Sequence, residues 1–181
     1  MKRQETNAES LPKETKQHGK KGKVLFLTQA AMIAAIYVLL VQLFAPISLY
    51  AIQCRIAEAL TILPYFTSAA IPGLTIGCLL GNVLAGADML DIIFGTLATL
   101  IGAYGSYALR KYKWAVPLPP ILANTIIVPW VLRFAYAESA PIWFLMATVG
   151  IGEVISCGIL GMVLLLALSR YRQYIFHNEI A

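Results

Sequence analysis

The stretch VLFLTQAAMIAAIYVLLVQLF, residues 24–44, contains 21 consecutive residues without a charged side chain. An α-helix needs about 20 apolar residues to cross the hydrocarbon core of a bilayer. Pro46 follows the run and is expected to end the helix, because proline has no backbone N–H to donate. The run is also longer than the roughly 7–15 apolar residues of a signal peptide. It therefore predicts an uncleaved membrane-spanning helix.

The composition of the whole chain agrees with this prediction. Hydrophobic residues make up 59% of the sequence and charged residues 13%, against about 25% charged residues in typical soluble domains. The mean hydropathy is +0.73. Most Lys and Arg residues lie in the two tails and in one loop. The net charge of +5 therefore indicates an oriented membrane protein rather than a partner of nucleic acid.

Five further apolar segments follow the first one. They cover residues 51–66, 71–87, 90–109, 117–137 and 141–169. The second and third are short and contain Pro64, Pro72 and Gly73, a pattern that is common where transporter helices line a binding site. Kinking without a function is the alternative. The sequence thus predicts an all-α integral membrane protein with six transmembrane helices.

The distribution of Lys and Arg predicts the orientation of these helices. Seven lie before Val24, three in residues 110–113 and two at the start of the C-terminal tail. Six spans put all three regions on one side, and the positive-inside rule places that side, with both termini, in the cytoplasm. We expect a disordered basic tail over residues 1–23, a membrane domain over 24–172 and a second cytoplasmic tail over 173–181.

Several polar side chains interrupt the apolar segments, and ionisable groups within a membrane indicate a functional site. Arg55 and Glu58 are three residues apart, so they share a helix face and are able to pair. At 1.5 Å per residue from Ala51, Glu58 would lie about 10 Å deep from the exterior. Converging carboxylates and carboxamides suit a flat heterocycle rich in N–H donors. The candidate substrate-binding residues of this kind are Gln53, Arg55, Glu58, Asn82, Asn124 and Glu153.

The first apolar run also carries a stripe of alanines. Ala30 and Ala34, and likewise Ala31 and Ala35, form two overlapping pairs of small residues four positions apart. Such a stripe allows the close approach of a second helix. That helix belongs either to the same bundle or to a partner subunit.

Motifs for several kinds of chemistry are missing from the sequence. It contains no G-x-x-x-x-G-K-[ST], H-E-x-x-H or G-x-S-x-G, and His18 and His177 both fall in the tails. We therefore expect no enzyme activity, no metal and no cofactor, and an ATPase on another chain if transport uses ATP. Cys54, Cys78 and Cys157 match no zinc or redox spacing and are expected to be reduced core residues.

Four blocks in order resemble the QueT family over roughly residues 24–172: SLYAIQCRIAEALTILPYF, AIPGLTIGCLLGNVL, LDIIFGTLATL and PLPPILANTIIVP. This family comprises the substrate-binding S components of energy-coupling factor (ECF) transporters assigned to queuosine precursors. The first block departs from the expected pattern at Cys54, where we expect an aromatic or aliphatic residue.

The resemblance implies a six-helix protein that binds its solute from outside. It also implies association with a T component, through the alanine stripe, and with two cytoplasmic ATPases. The implied substrate is a 7-deazaguanine such as preQ1 or queuine, whose cationic arm would suit a second carboxylate or Asp91. A stand-alone or proton-coupled nucleobase carrier, with Glu58 and Glu153 as proton relays, remains the alternative. Arg133 either reaches the lipid headgroups or guards the cavity mouth.

Overall fold

The computed structural model describes the backbone of residues 13–44 and 55–171 and the side chains of residues 22–44 and 55–171. The regular elements in these ranges are all helical. The α-helices are α1 (Lys13–Phe44), α2 (Ala70–Leu84), α3 (Met89–Ala108), α4 (Leu118–Ala135), α5 (Ile142–Glu153) and α6 (Gly161–Arg170). A 3-10 helix (Ile56–Tyr65) precedes α2, a 3-10 turn (Lys113–Ala115) precedes α4, and a π segment (Val154–Leu160) joins α5 to α6.

Some of the predicted features fall outside these ranges. Gln53, Cys54 and the tail residues 1–12 and 172–181 lie outside the described residues. The backbone of α1 is helical from Lys13 onward, which includes part of the tail that was expected to be disordered.

Four stretches within the described residues are long and apolar enough to cross a membrane. They are Gly22–Phe44, Met89–Ala108, Lys113–Ala135 and Ile142–Arg170. The 3-10 helix and α2 are apolar but shorter. The part of this membrane protein that the structure describes is therefore all-helical, with four stretches of spanning length and two shorter apolar helices.

The 3-10 helix replaces the α-helical second span that the sequence predicted over residues 51–66. It has ten residues, and those from Ala57 to Pro64 are all buried. A helix that is apolar and covered on every side belongs in the interior of a bundle. A 3-10 helix rises about 2.0 Å per residue, so ten residues cover about 20 Å. The estimate of the depth of Glu58 assumed α-helical geometry from Ala51, whereas Ile56–Tyr65 is a 3-10 helix; residues 51–54 lie outside the described residues, so the depth itself stays a prediction.

Glycines on α2 allow α1 to pack closely against it. A Cβ at Gly73 would lie 2.8 Å from the carbonyl oxygen of Ala30, and one at Gly77 would lie 3.1 Å from Ala34 Cα and 2.8 Å from Tyr37 Cβ. Small residues that admit a neighbouring backbone are typical of helix contacts in membranes. The alanine stripe is therefore used, in part, inside the protein.

This packing separates the four alanines of the docking prediction into two pairs. Ala30 and Ala34 are buried at 7% and 8% exposure, and both contact α2. Ala31 and Ala35 lie on the exposed face of α1. A partner subunit can reach only the second pair.

The last apolar segment forms one long helix with an irregular middle. The residues that join α5, the π segment and α6 all keep right-handed helical dihedrals, so the chain does not turn between them. A π segment is rare and often lies at a functional site. Here it directly follows Glu153 and contains Cys157.

Candidate functional site

Glu58 lies on the 3-10 helix at the centre of a buried polar cluster, with 1% of its surface exposed. Tyr37 of α1 donates a hydrogen bond of 2.5 Å to Glu58 Oε1. Thr99 of α3 donates a longer one, 3.4 Å, to the same oxygen. Glu58 Oε2 is buried and has no hydrogen-bond partner among the described residues. Because a buried polar atom without a partner is costly, this oxygen is the strongest candidate for contact with a ligand.

A second carboxylate lies close to the first. Glu153, 3% exposed, accepts a hydrogen bond of 3.1 Å from the Cys157 thiol, and the side chain of Asn124 on α4 lies beside it. Cys157 Sγ also lies 3.4 Å from Thr61 Oγ1 on the 3-10 helix. One ligand atom from each of Glu58, Glu153 and Cys157 lies within 4.8 Å of the other two. Three helical elements thus bring two carboxylates and a thiol together.

A cationic group borders the cluster on the side of α2 and α3. Arg55 Nη2 donates to Asn82 Oδ1, and Asn82 Nδ2 donates to the backbone carbonyl of Asp91 over 3.4 Å. Gly95 faces these groups. A Cβ there would lie 3.1 Å from Asp91 Oδ1, 3.3 Å from Asn82 Nδ2 and 3.7 Å from Arg55 Nη1. The absence of a side chain at Gly95 therefore lets Asp91 and Asn82 approach α3 more closely than a Cβ would comfortably allow.

Tyr136, which follows α4, connects this side of the cluster to two loops. Its hydroxyl donates to Asp91 Oδ2 over 3.1 Å and accepts from the backbone N–H of Asp88 over 3.3 Å. Partial burial raises the pKa of Tyr136, and the nearby Asp91 carboxylate raises it further. The phenol therefore stays protonated at neutral pH and remains a donor to Asp91. These bonds place the α2–α3 and α4–α5 loops at the same end of the molecule.

The chemistry of the cluster favours a cation or an N–H donor. Three acidic side chains, Glu58, Asp91 and Glu153, accompany one guanidinium, that of Arg55. Charges interact more strongly in a low-dielectric interior than in water, so the excess of acidic groups attracts positive charge. The free oxygen of Glu58 adds an acceptor for a donor group.

Five of the residues singled out in the sequence meet in this cluster: Arg55, Glu58, Asn82, Asp91 and Glu153. Asn124 joins through Glu153, and Gln53 lies outside the described residues. The sequence showed that Arg55 and Glu58 are able to pair. The side-chain hydrogen bonds among the described residues instead join Arg55 to Asn82 on α2 and join Glu58 to Tyr37 on α1 and Thr99 on α3. Arg133 donates to the carbonyl oxygens of Glu138 and Ala140, over 2.9 and 3.3 Å, and thus holds the α4–α5 loop.

The sequence analysis missed the neutral polar residues that surround the carboxylates. Tyr37, Thr61 and Thr99 are buried at 0–1% exposure and each bonds to a residue of the 3-10 helix. Tyrosine and threonine are common in membrane helices, so their presence gave no signal. The position of Cys157, four residues after Glu153, was a usable signal, because such residues share a helix face.

A separate cleft between α3 and α4 has a volume of about 410 Å³ and only apolar lining. Its residues are Leu90, Phe94, Ile126, Ile127, Trp130, Val131 and Phe134. It offers no polar group to orient a hydrophilic solute. The polar cluster is therefore the better candidate for a binding site.

Comparison with known proteins identifies related sequences. The family model described as "QueT transporter" matches residues 27–170. The chain is also similar to the "Queuosine precursor transporter QueT" of Lactococcus lactis subsp. cremoris (strain MG1363), with 36% identity over 84 residues. That match covers 45% of this chain and 49% of the relative, so the chain spans about half the length of the curated relative. No solved structure matches.

Proposed function

The chain belongs to the QueT transporter family, and from this premise we propose that it is the substrate-binding S component of an ATP-driven ECF importer for a queuosine precursor. The curated relative is named as a queuosine precursor transporter. The single observation that carries the proposal is the buried polar cluster, in which Glu58 keeps one carboxylate oxygen free. A membrane protein with no solute to bind would be more stable with apolar residues there.

The proposed ligand is a 7-deazaguanine such as preQ1 or queuine. The amino-pyrimidinone edge of this ring presents parallel N–H donors, which a carboxylate accepts in a bidentate manner. Glu58 is the proposed acceptor, and Glu153 or Asp91 would stabilise the cationic arm. The proposed binding residues are Gln53, Arg55, Glu58, Asn82, Asp91, Asn124 and Glu153.

The proposed topology has six membrane segments, with both termini in the cytoplasm. The 3-10 helix and α2 would be the second and third segments. The shared end of the α2–α3 and α4–α5 loops supports an alternating path, and those loops contain Asp88 and Glu138 but no Lys or Arg. The basic residues 110–113 follow α3 at its other end, which agrees with a cytoplasmic position. Within this topology, residues 24–172 form the membrane domain between two tails.

The proposed partners are a T component and two cytoplasmic ATPases, which would supply the energy. Ala31 and Ala35 form the proposed contact with the T component, because they are the two alanines of the stripe on the exposed face of α1. Substrate capture would occur from the exterior, and ATP hydrolysis would then reorient the subunit.

Calorimetric titration of the purified chain with preQ1, queuine and guanine tests the substrate proposal. We expect Glu58→Gln and Glu153→Gln each to weaken binding of the preferred deazaguanine by roughly 10- to 100-fold, because a hydrogen bond to a charged group contributes about 1.5–3 kcal/mol. Glu138→Gln is the matched control, since Glu138 is an exposed loop residue and its loss should leave affinity unchanged. Unaltered affinity in both cluster variants would remove these carboxylates from the site.

The close approach of Glu58 and Glu153 favours one second candidate, a proton-coupled carrier that works without ATPases. Reconstitution of the chain alone into proteoliposomes separates the two functions. If the chain is an importer subunit, we expect the reconstituted chain alone to bind substrate but not to accumulate it under a proton gradient. Accumulation of substrate driven by that gradient would replace the importer with the carrier.

A further inference from the structure

Two carboxylates and a thiol meet in the protein interior at metal-ligand spacing. One oxygen each of Glu58 and Glu153 and the Sγ of Cys157 lie within 4.8 Å of one another, and none of the three residues is more than 3% exposed. With metal–ligand bonds of about 2.0–2.3 Å, neighbouring ligand atoms around a tetrahedral zinc ion are about 3.3–3.8 Å apart. Cys157 Sγ lies 3.1 Å from Glu153 Oε2, so modest side-chain rotation would complete the geometry.

The free oxygen of Glu58 is an independent sign of a ligand. Glu58 Oε2 is fully buried without a hydrogen-bond partner among the described residues, whereas Oε1 is held by Tyr37 and Thr99. Groups that bond to one atom of a metal ligand fix its orientation and are typical of metal sites. The hydrogen bonds to Oε1 thus fix the orientation of the Glu58 carboxylate, and Oε2 remains available to coordinate a metal ion.

The helical backbone positions Glu58, Glu153 and Cys157 close to one another. Glu153 and Cys157 are separated by four residues, on either side of the start of the π segment, and therefore lie on one helix face. Thr61 donates to the backbone carbonyl of Glu58 over 2.6 Å and contacts Cys157 Sγ. The hydroxyl of Thr61 therefore links the 3-10 helix to the π segment at the point where the ligand atoms converge.

We propose that Glu58, Glu153 and Cys157 bind one divalent transition-metal ion of the zinc type, with a fourth coordination position left open. A thiolate with two carboxylate oxygens suits a borderline-soft ion rather than Mg²⁺ or Ca²⁺. Binding displaces the thiol proton, together with the proton that the closely spaced pair of carboxyl groups carries when one of them is neutral, and these protons pass to solvent. The three anionic ligands and the ion then carry one net negative charge, and the Arg55 guanidinium offsets it. The proposal goes beyond the proposed transport function and stands on side-chain geometry.

The test uses Co²⁺ and Zn²⁺ alone as probes. The full chain, without a histidine tag, is purified in detergent, treated with a chelator and titrated with Co²⁺, and Zn²⁺ is then added in competition. We expect one ion per chain and a thiolate-to-cobalt charge-transfer band, which Cys157→Ser abolishes. Glu153→Gln should weaken the metal Kd by at least about 100-fold, the upper end of the effect of losing a supporting residue.

Cys78→Ser is the matched control, because Cys78 is also a buried free cysteine but lies outside the three-residue group. It should leave the band and the affinity unchanged. Circular dichroism and gel filtration establish whether each variant folds. If Cys157→Ser does not fold, the affinity of Glu153→Gln for the metal ion still tests the proposal. Absence of the charge-transfer band in the unmodified chain would overturn the proposal. So would a band that Cys78→Ser abolishes and Cys157→Ser retains. Glu58 and Glu153 are also proposed substrate-binding residues, so a bound metal ion and a deazaguanine would compete for the free oxygen of Glu58. The substrate titration is therefore performed on metal-free protein and the cobalt titration on substrate-free protein, which keeps a failure of one proposal distinguishable from a failure of the other.

Discussion

At the scale of single residues, the polar cluster consists of charged side chains, which the sequence alone marks as candidate site residues, and neutral polar side chains, which it does not. Arg55, Glu58 and Glu153 stand out because ionised groups are penalised in hydrocarbon. Tyr37 and Thr99, which hold Glu58 Oε1, carry no such penalty and are found throughout membrane helices. The charged centre was therefore predictable, whereas its neutral hydrogen-bond donors required the structure.

Gly95 offers a sharp test of the space between Arg55, Asn82 and Asp91. We expect Gly95→Ala to weaken deazaguanine binding by roughly 5- to 150-fold, because filling a tight site typically costs about 1–3 kcal/mol. The same change should alter the melting temperature little, because the preference for alanine over glycine within a helix, about 1 kcal/mol, is offset by crowding of the new Cβ against Asp91 at 3.1 Å.

Calorimetry and thermal unfolding in detergent measure the two effects of Gly95→Ala. Gly150→Ala is the control, because a Cβ there meets Thr125 only at an ordinary 3.4 Å. Full affinity in Gly95→Ala would mean that the ligand does not occupy this space.

At the scale of helices, tertiary packing overrides what the sequence pattern suggests. Residues Ala57–Pro64 are all buried, and an apolar run this short does not by its pattern alone distinguish an α-helix from a 3-10 helix. The π segment has no sequence signal either. The existence of each helix was predictable from hydropathy, but the helix type follows from the packing around Ala57–Pro64 and around Glu153.

The contact between α1 and α2 predicts a destabilising variant. In Gly77→Ala the new Cβ would lie 3.1 Å from the backbone of Ala34 and 2.8 Å from Tyr37 Cβ, so the helices must separate. We expect a loss of about 1–3 kcal/mol in unfolding free energy, typical of overpacking.

Chemical denaturation in detergent measures this loss. Gly22→Ala serves as the control, since nothing lies within 4 Å of a Cβ at that position, and it should be neutral or slightly stabilising. Equal stability of the two variants would show that α1 and α2 do not pack as described.

At the scale of the whole molecule, the exposed face of α1 determines whether a partner subunit can dock. The alanine stripe looked uniform in the sequence, because spacing alone cannot say which of two overlapping pairs faces inward. The structure assigns Ala30 and Ala34 to the interior, and the proposed T-component contact then rests on Ala31 and Ala35.

Ala35→Trp should disrupt the proposed assembly without affecting the subunit itself. A large side chain on the exposed face blocks close helix approach, so we expect co-purification with the ATPase module to fall by at least about tenfold, a change equivalent to 1.4 kcal/mol. Substrate binding by the isolated subunit should be unchanged.

Val163→Trp, on an exposed position of α6, controls for the bulk of tryptophan in the Ala35→Trp experiment. Normal co-purification of Ala35→Trp would place the partner contact elsewhere on the surface.

The enclosed position of the 3-10 helix has a consequence for biosynthesis. Ala57–Pro64 present no face to lipid, and Glu58 within this stretch and Arg55 before it oppose insertion of the segment by itself. Of the elements that pack on this segment, only α1 is synthesised before it, whereas α3, the π segment and α6 follow. We therefore expect stable entry of the segment into the bilayer to depend on helices that are made later, as a joint step.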